Sequence, residues 1–254
     1  FERGGIYRFT VDVTKGNTKA VLTVEKVGKV DLPAPDIFFG NSKMEVTDTD
    51  IYKSDQVFTR GQMITVTGID NLNEWWIDPD FFEKQSDGTL KFLPINGDYR
   101  VTANGILKYF SVIALKDGKP AKLQDDGTGA IWAIGKGIGK PSVTSSEVGW
   151  ETGKALCLAQ VAPKKYQLTL KAGETLKTSG DWEAISFKFF YQNDWGGEFS
   201  NYASNTLVEQ LKLTGSGNLE MQDNKAFEEG GVYRFTIDVT NGNANAILKV
   251  EKIN

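Results

Sequence analysis

The two ends of this 254-residue chain are the same stretch written twice, and that repeat constrains the fold more than anything between them. "FERGGIYRFTVDVTKGNTKAVLTVEKV" at residues 1–27 and "FEEGGVYRFTIDVTNGNANAILKVEKI" at 227–253 agree at 18 of 27 positions, and most of the rest are exchanges such as Ile6 for Val232 or Val11 for Ile237. A repeat sets the number of modules before any fold is considered. In both copies apolar residues alternate. Tyr7, Phe9, Val11 and Val13 share one face, Arg8, Thr10 and Asp12 the other, and a second alternating run follows the turn from Ala20. That is the pattern of a β-hairpin. The later copy carries Tyr233, Phe235, Ile237 and Val239, a turn at Asn241-Gly242-Asn243, and the run Ala246 to Val250. "GDYRVT" at residues 97–102 is a weaker third echo. Two strands alone are marginal in water, so each hairpin needs a larger sheet to complete. The later copy has the chain upstream of Phe227 to pack on. Residues 1–27 are expected to be the closing hairpin of a preceding, missing module, making this chain a fragment of a longer protein; the hairpin is expected to dock on a neighbouring module or on another copy of the chain.

Hydrophobic content of 40% and aromatic content of 11% suit a chain able to build a core, and 27 glycines against 7 prolines favour short strands joined by turns. The net charge of -4, without a basic block, offers no footprint for nucleic acid or an anionic membrane surface. Histidine is absent. That excludes imidazole-dependent dyads and triads, His-ligated zinc and His general bases within this chain. The sole cysteine, Cys157 in "KALCLAQV", sits in an apolar run and reads as a buried structural thiol. No apolar stretch is long enough for a membrane-spanning helix.

Residues 28–35, "GKVDLPAP", read as a linker, because each proline disfavours helix at the residue before it. Residues 36–117 read as a first β-sandwich module with strands at "MEVTD", "QMITVTG", "TLKFLP", "DYRVTA" and "LKYFSVIAL". Residues 118–130 form a polar, turn-rich connector, or a loop within a continuous interface. Residues 131–254 read as a second sandwich through "IWAIGKGIGKP", "KYQLTLKAG" and "AISFKFFYQNDWGGEF". "NTLVEQLKL", Asn205 to Leu213, is the best helix candidate, with Asn205 as N-cap, although its apolar residues also nearly alternate.

Three stretches bear on chemistry. In "FKFFYQNDWGGEF" (187–199), Phe187, Phe189 and Tyr191 alternate with Lys188, Phe190 and Gln192, so one face enters a core and the other offers cation, ring and amide. Trp195 then lies on a loop with Asp194 and Glu198 close by. An indole beside hydrogen-bonding side chains is how sugar sites are built, the alternative being a ring that plugs the end of the module. In "NEWWIDPDFF", Trp75 and Trp76 face opposite sides of a strand, so one is core and the other is an interface ring or a second sugar platform. Asp78 and Asp80 are too few to hold Ca²⁺ and read as a turn around Pro79. "GKGIGKP" lacks the spacing of a phosphate-binding loop, and Pro141 opposes a following helix, so it reads as a strand entering a turn.

Taken together, "IWAIGKGIGKP", "EVGWETGKAL", "KYQLTLKAG", "FKFFYQNDWGGEF", "GSGNLEM" and "GGVYRFTIDV" resemble the SusE/SusF-like outer-membrane glycan-binding proteins of Bacteroidetes and related surface proteins. The likeness covers residues 131–254, extends to 1–27, and is loose over 36–115. It implies an all-β chain of tandem immunoglobulin-like β-sandwich modules at the outer face of the outer membrane. The membrane is reached only through a lipid anchor outside this chain. The implied role is binding of polysaccharide or oligosaccharide for an associated outer-membrane glycan transporter, with no catalysis; neither a metal nor a cofactor is expected. Carried onto this sequence, the resemblance places the aromatic platform at Trp150 and Trp195, with Lys188 and Gln192 as polar contacts. Trp182 either joins them or is a core ring. Two other readings remain open: a structural spacer that holds another domain off the membrane, and a glycoside hydrolase, for which Asp194 and Glu198 are the only carboxylate pair near the platform.

Overall fold

A computed structural model describes residues 4–30, 34–180 and 184–254. The chain divides into two compact units, residues 1–35 and 36–254. It is all-β, built from several small sheets. In the first unit Gly5–Asp12 pairs antiparallel with Val21–Lys29, matching Phe9 to Val24 and Val11 to Leu22. The turn between them opens at Gly16, whose φ of 90° a side chain would disfavour, and continues as a 3-10 turn at Asn17–Lys19.

The second unit holds two cores. Around the first runs a five-stranded sheet in the order Lys119–Pro120, Tyr109–Lys116, Gly97–Asn104, Ile51–Phe58, Glu45–Asp48, with two three-stranded sheets beside it. Ile51–Phe58 escapes the sequence reading because its inward positions include Ser54 and Gln56; Ser54 is buried and accepts the Gln56 amide at 3.0 Å. Rings fill this core: Phe39 meets Phe110 at 5.2 Å and Phe58 stacks on Phe92 at 4.9 Å. The second core lies between two sheets. One has six strands, with Trp132–Gly139 and Ser186–Phe190 at its centre; the other runs Ala159–Ala162, Lys165–Lys171, Val232–Asp238, Ile247–Lys252, Ser204–Thr206. Phe187 meets Phe235 across the gap at 5.5 Å and Phe189 meets it at 6.4 Å. The later hairpin thus closes the second sheet. Residues 118–130 contribute Ala121, Leu123 and Ala130 to this core and bind it through Leu123 N–H to the Tyr191 carbonyl at 2.8 Å.

The three echoed segments share one local geometry. A Cβ on Gly5, Gly97 or Gly231 would meet the ring of Tyr7, Tyr99 or Tyr233 at 2.5, 3.3 and 3.0 Å, because each tyrosine folds back over the glycine two residues before it. Three local expectations are corrected. Residues 205–213 contain no helix: Ser204–Thr206 pairs in parallel with the closing strand, Asn205 opposite Leu248, and Leu211–Leu213 joins the six-stranded sheet. Sheet pairing takes the backbone groups that a helix would have used internally. Tyr191 does not continue the inward row of Phe187 and Phe189, because the strand ends at Phe190. After Pro141 the chain makes one helical turn, Val143–Ser146, with the Ser142 side chain accepting from Ser145 N–H. A proline before the N-cap leaves that turn unhindered.

Candidate functional site

Beyond Phe190 the chain leaves the sheet as a loop pinned by its own backbone. Tyr191 N–H donates to the Gly197 carbonyl at 2.7 Å and Phe199 N–H to Phe189 at 2.9 Å. Gly196 supplies the reversal at φ 81°, and Gly197 lies so close to Gln192 that an added Cβ would stand 2.7 Å from it. Inside the loop the Gln192 amide donates to the Trp195 carbonyl at 2.5 Å, and Trp195 N–H donates to Asp194 Oδ1 at 2.8 Å. Glu198 Oε1 faces Gly196 N–H at 3.5 Å.

The loop lays Trp195 over the outward face of the six-stranded sheet. Its ring meets the edge of buried Phe190 at 5.8 Å and stacks on Trp150 at 6.2 Å, with 29° between the planes. Trp150 is packed against the core, whereas Trp195 is 49% exposed. Lys188, two residues before Phe190, lies on the same strand face and is half-buried. The structure therefore gathers Trp150, Trp195, Lys188, Gln192, Asp194 and Glu198 around one sheet face and the loop that crosses it. Trp182 lies outside the described residues. On the same loop Tyr191 turns outward, its ring packed on Phe199 at 5.1 Å. With Glu198, Asn201 and Asn243 it lines a cleft of about 630 Å³. Sequence reasoning missed this cleft, because the turn carrying Asn243 belongs to the closing hairpin.

The other aromatic pair has a different setting. Trp75 is buried and stacks on Phe110 at 4.7 Å. Trp76 donates its indole N–H at 2.6 Å to Glu174, a residue of the second half, and Glu174 also holds Lys171 at 2.9 Å. Beneath Trp76 lies a cluster that sequence reasoning missed. The Lys140 ammonium, 5.9 Å from the Trp76 ring, bonds both oxygens of Asp78 at 2.9 and 2.7 Å and Asp80 at 3.1 Å. Asp80 further accepts the Thr169 backbone N–H and hydroxyl, each at 2.6 Å, and the Gln167 amide at 2.8 Å. The three charged groups are almost wholly buried.

Burial works to raise the Asp80 carboxyl, but Lys140 and the bonds from Gln167 and Thr169 outweigh it and hold the group below its ordinary value. At Asp78 burial prevails and the carboxyl is pushed up. Burial would lower Lys140, yet the two aspartates raise it. The turn at Asp78-Pro79-Asp80 is present, Asp80 N–H donating to Asp78 Oδ1 at 3.0 Å. Its carboxylates hold an ammonium contributed by the other half of the unit. With the bond from Ile95 N–H to the Gln160 carbonyl at 2.9 Å, this cluster joins the two halves. Beside it a cleft of about 740 Å³ is lined by Thr102, Tyr109, Ser111, Ser145 and Glu147.

Residues 16–123 match a domain of unknown function (DUF5125), and residues 126–240 match another (DUF5121). The chain carries two such domains in tandem. Their boundary falls within the connector at 118–130, and the Lys140 cluster ties one to the other. No curated protein matches the chain.

Proposed function

We propose that this chain binds polysaccharide or oligosaccharide without acting on it chemically. The observation that carries the reading is the half-exposed Trp195 indole, stacked on Trp150 and held by a hydrogen-bonded loop. A rigid aromatic face costs little conformational entropy on binding and suits the C–H face of a pyranose. Lys188 lies on the same strand face two residues before Phe190, Gln192 braces the loop through the Trp195 carbonyl, and the cleft lined by Tyr191 and Asn201 offers hydroxyl and amide partners for a sugar. Asp194 is engaged by the backbone of its own loop, which favours binding over hydrolysis. The finer architecture proposed is tandem immunoglobulin-like sandwiches. It draws support from Tyr99, whose hydroxyl donates to the Ile95 carbonyl at 2.9 Å, and Tyr233, whose hydroxyl accepts Glu228 N–H at 3.4 Å, each reaching back along the chain as corner tyrosines do. On the sequence resemblance alone, the proposal extends to a lipid-anchored protein at the outer-membrane surface that serves a glycan transporter.

A rigid spacer is the second reading, favoured by the buried cluster that joins the two halves. Electrophoresis through gels containing a panel of soluble polysaccharides separates the two. Retardation by at least one glycan, lost in Trp195→Ala and Trp150→Ala and without release of reducing sugar, supports binding. Unchanged migration in every gel supports the spacer.

A further inference from the structure

The hairpins that repeat in sequence repeat also in structure, at an offset of 226 residues. The pairs Tyr7–Lys26, Arg8–Glu25 and Val11–Leu22 recur as Tyr233–Lys252, Arg234–Glu251 and Ile237–Leu248. Gly16 (φ 90°, ψ 156°) and Gly242 (φ 91°, ψ 157°) open identical 3-10 turns. Asp12 and Asp238 each accept the N–H two residues on, at 2.8 and 2.9 Å. Burial is what differs. Ile237, Val239, Leu248 and Val250 are at most 2% exposed, whereas Val11, Val13, Leu22 and Val24 are 61%, 50%, 62% and 44% exposed.

In the later copy the cover is visible. Lys165–Lys171 pairs along one edge of the hairpin, Ser204–Thr206 along the other, and Phe187 and Phe189 lie opposite. The earlier copy forms a two-stranded sheet with neither edge extended by a further strand among the described residues. Of the nine positions at which the copies differ, only Val11, in place of Ile237, is buried in the later copy. The others, such as Lys15 for Asn241 and Thr23 for Lys249, fall at positions the later copy leaves exposed or half-exposed. The apolar side of the earlier hairpin is thus one methylene short of a face whose partner is known.

We infer that residues 5–29 present a docking face for the body of a domain of the same kind as residues 126–240. That partner supplies an edge strand like Lys165–Lys171 and an apolar sheet opposite. Strand edges that no further strand extends, among the described residues, beside an apolar face, are a strong template for such pairing. The inference stands independently of the glycan reading.

The test is a graft within the full chain, in which residues 227–253 are replaced by the sequence of residues 1–27. This sets the earlier face against a body of the proposed kind. The core loses one methylene, so cooperative thermal unfolding within about 5 °C of the parent is expected. Failure to fold, or a midpoint lowered by more than about 15 °C, overturns the inference. Sedimentation of the unmodified chain decides the occupant. A monomer at all concentrations is expected, because the matching slot of a second copy is filled by that copy's own hairpin. A reversible dimer abolished by Leu22→Lys would assign the face to a second copy and overturn the proposal.

Discussion

Replacing Lys140 by methionine keeps the length of the side chain and removes the only cation, among the described residues, that bonds Asp78 and Asp80. Two carboxylates then remain side by side on one turn, almost wholly buried. Breaking a buried ion pair on one side typically destabilises by about 3–5 kcal/mol, because the remaining charge has no compensation. For a unit of this size each kcal/mol moves the melting midpoint by about 2–4 °C, so Lys140→Met should lower Tm by roughly 6–20 °C at neutral pH. The pH dependence has a definite sign. In the parent the two carboxyls act oppositely: the depressed Asp80 contributes stability that is lost as pH falls through its folded value, and the raised Asp78 contributes stability that is lost as pH rises. Without Lys140, burial is opposed at Asp80 only by hydrogen bonds and at Asp78 by still less, so the pair binds protons more tightly folded than unfolded. Stability is then lost as pH rises. The deficit of the variant should therefore shrink between pH 8 and pH 5. Calorimetry of parent and variant at both values measures it. A deficit below about 1 kcal/mol at pH 8, or one that grows toward pH 5, refutes the reasoning.

Burial pushes the Cys157 thiol up to about 12, so native protein should resist alkylation by iodoacetamide at pH 8 and react fully in denaturant; rapid native labelling would contradict the burial. Gly135→Ala places a Cβ 2.4 Å from the Phe187 backbone at a φ of 141°, and should destabilise by roughly 2–6 kcal/mol in denaturant titration. Trp76→Phe keeps a ring above Lys140 but leaves Glu174 without the indole donor. A loss of roughly 1–3 kcal/mol is expected by the same titration, and unchanged stability would contradict it.

The fold was legible where the buried face of a strand is apolar throughout. Tyr233, Phe235, Ile237 and Val239 alternate in sequence and are buried in the core, and the turn at Gly242 follows from residues that favour it. Ile51–Phe58 was not legible, because Ser54 and Gln56 satisfy each other at positions where an apolar pattern would have signalled a strand. Residues 205–213 were ambiguous, since short apolar runs fit either period, and tertiary pairing decides between them: Ser204–Thr206 with a strand more than 40 residues away and Leu211–Leu213 with Leu219–Met221. In the candidate site the pairing of Trp150 with Trp195 was anticipated through resemblance, not through spacing. The Lys140 cluster was not legible: Asp78 and Asp80 read as a turn around Pro79, which is present but does not show that their carboxylates are buried. Their partner lies 60 residues further on, at the end of a glycine-rich strand, and no local pattern connects the two. Tyr191 was misplaced because alternation carries no information about where a strand stops.

The central claim, that Trp195 on Trp150 is a sugar platform, is tested most directly by the indole N–H signals of the protein in nuclear magnetic resonance. The titrant is a glycan that retards the protein in gels, or the whole panel if none does. The account predicts a saturable shift of the Trp195 signal and none at Trp132, whose indole N–H is buried on the Ala121 carbonyl at 3.0 Å, with the response lost in Trp195→Ala. A Trp195 signal that stays fixed throughout the panel, in protein whose spectrum is that of the folded chain, contradicts it.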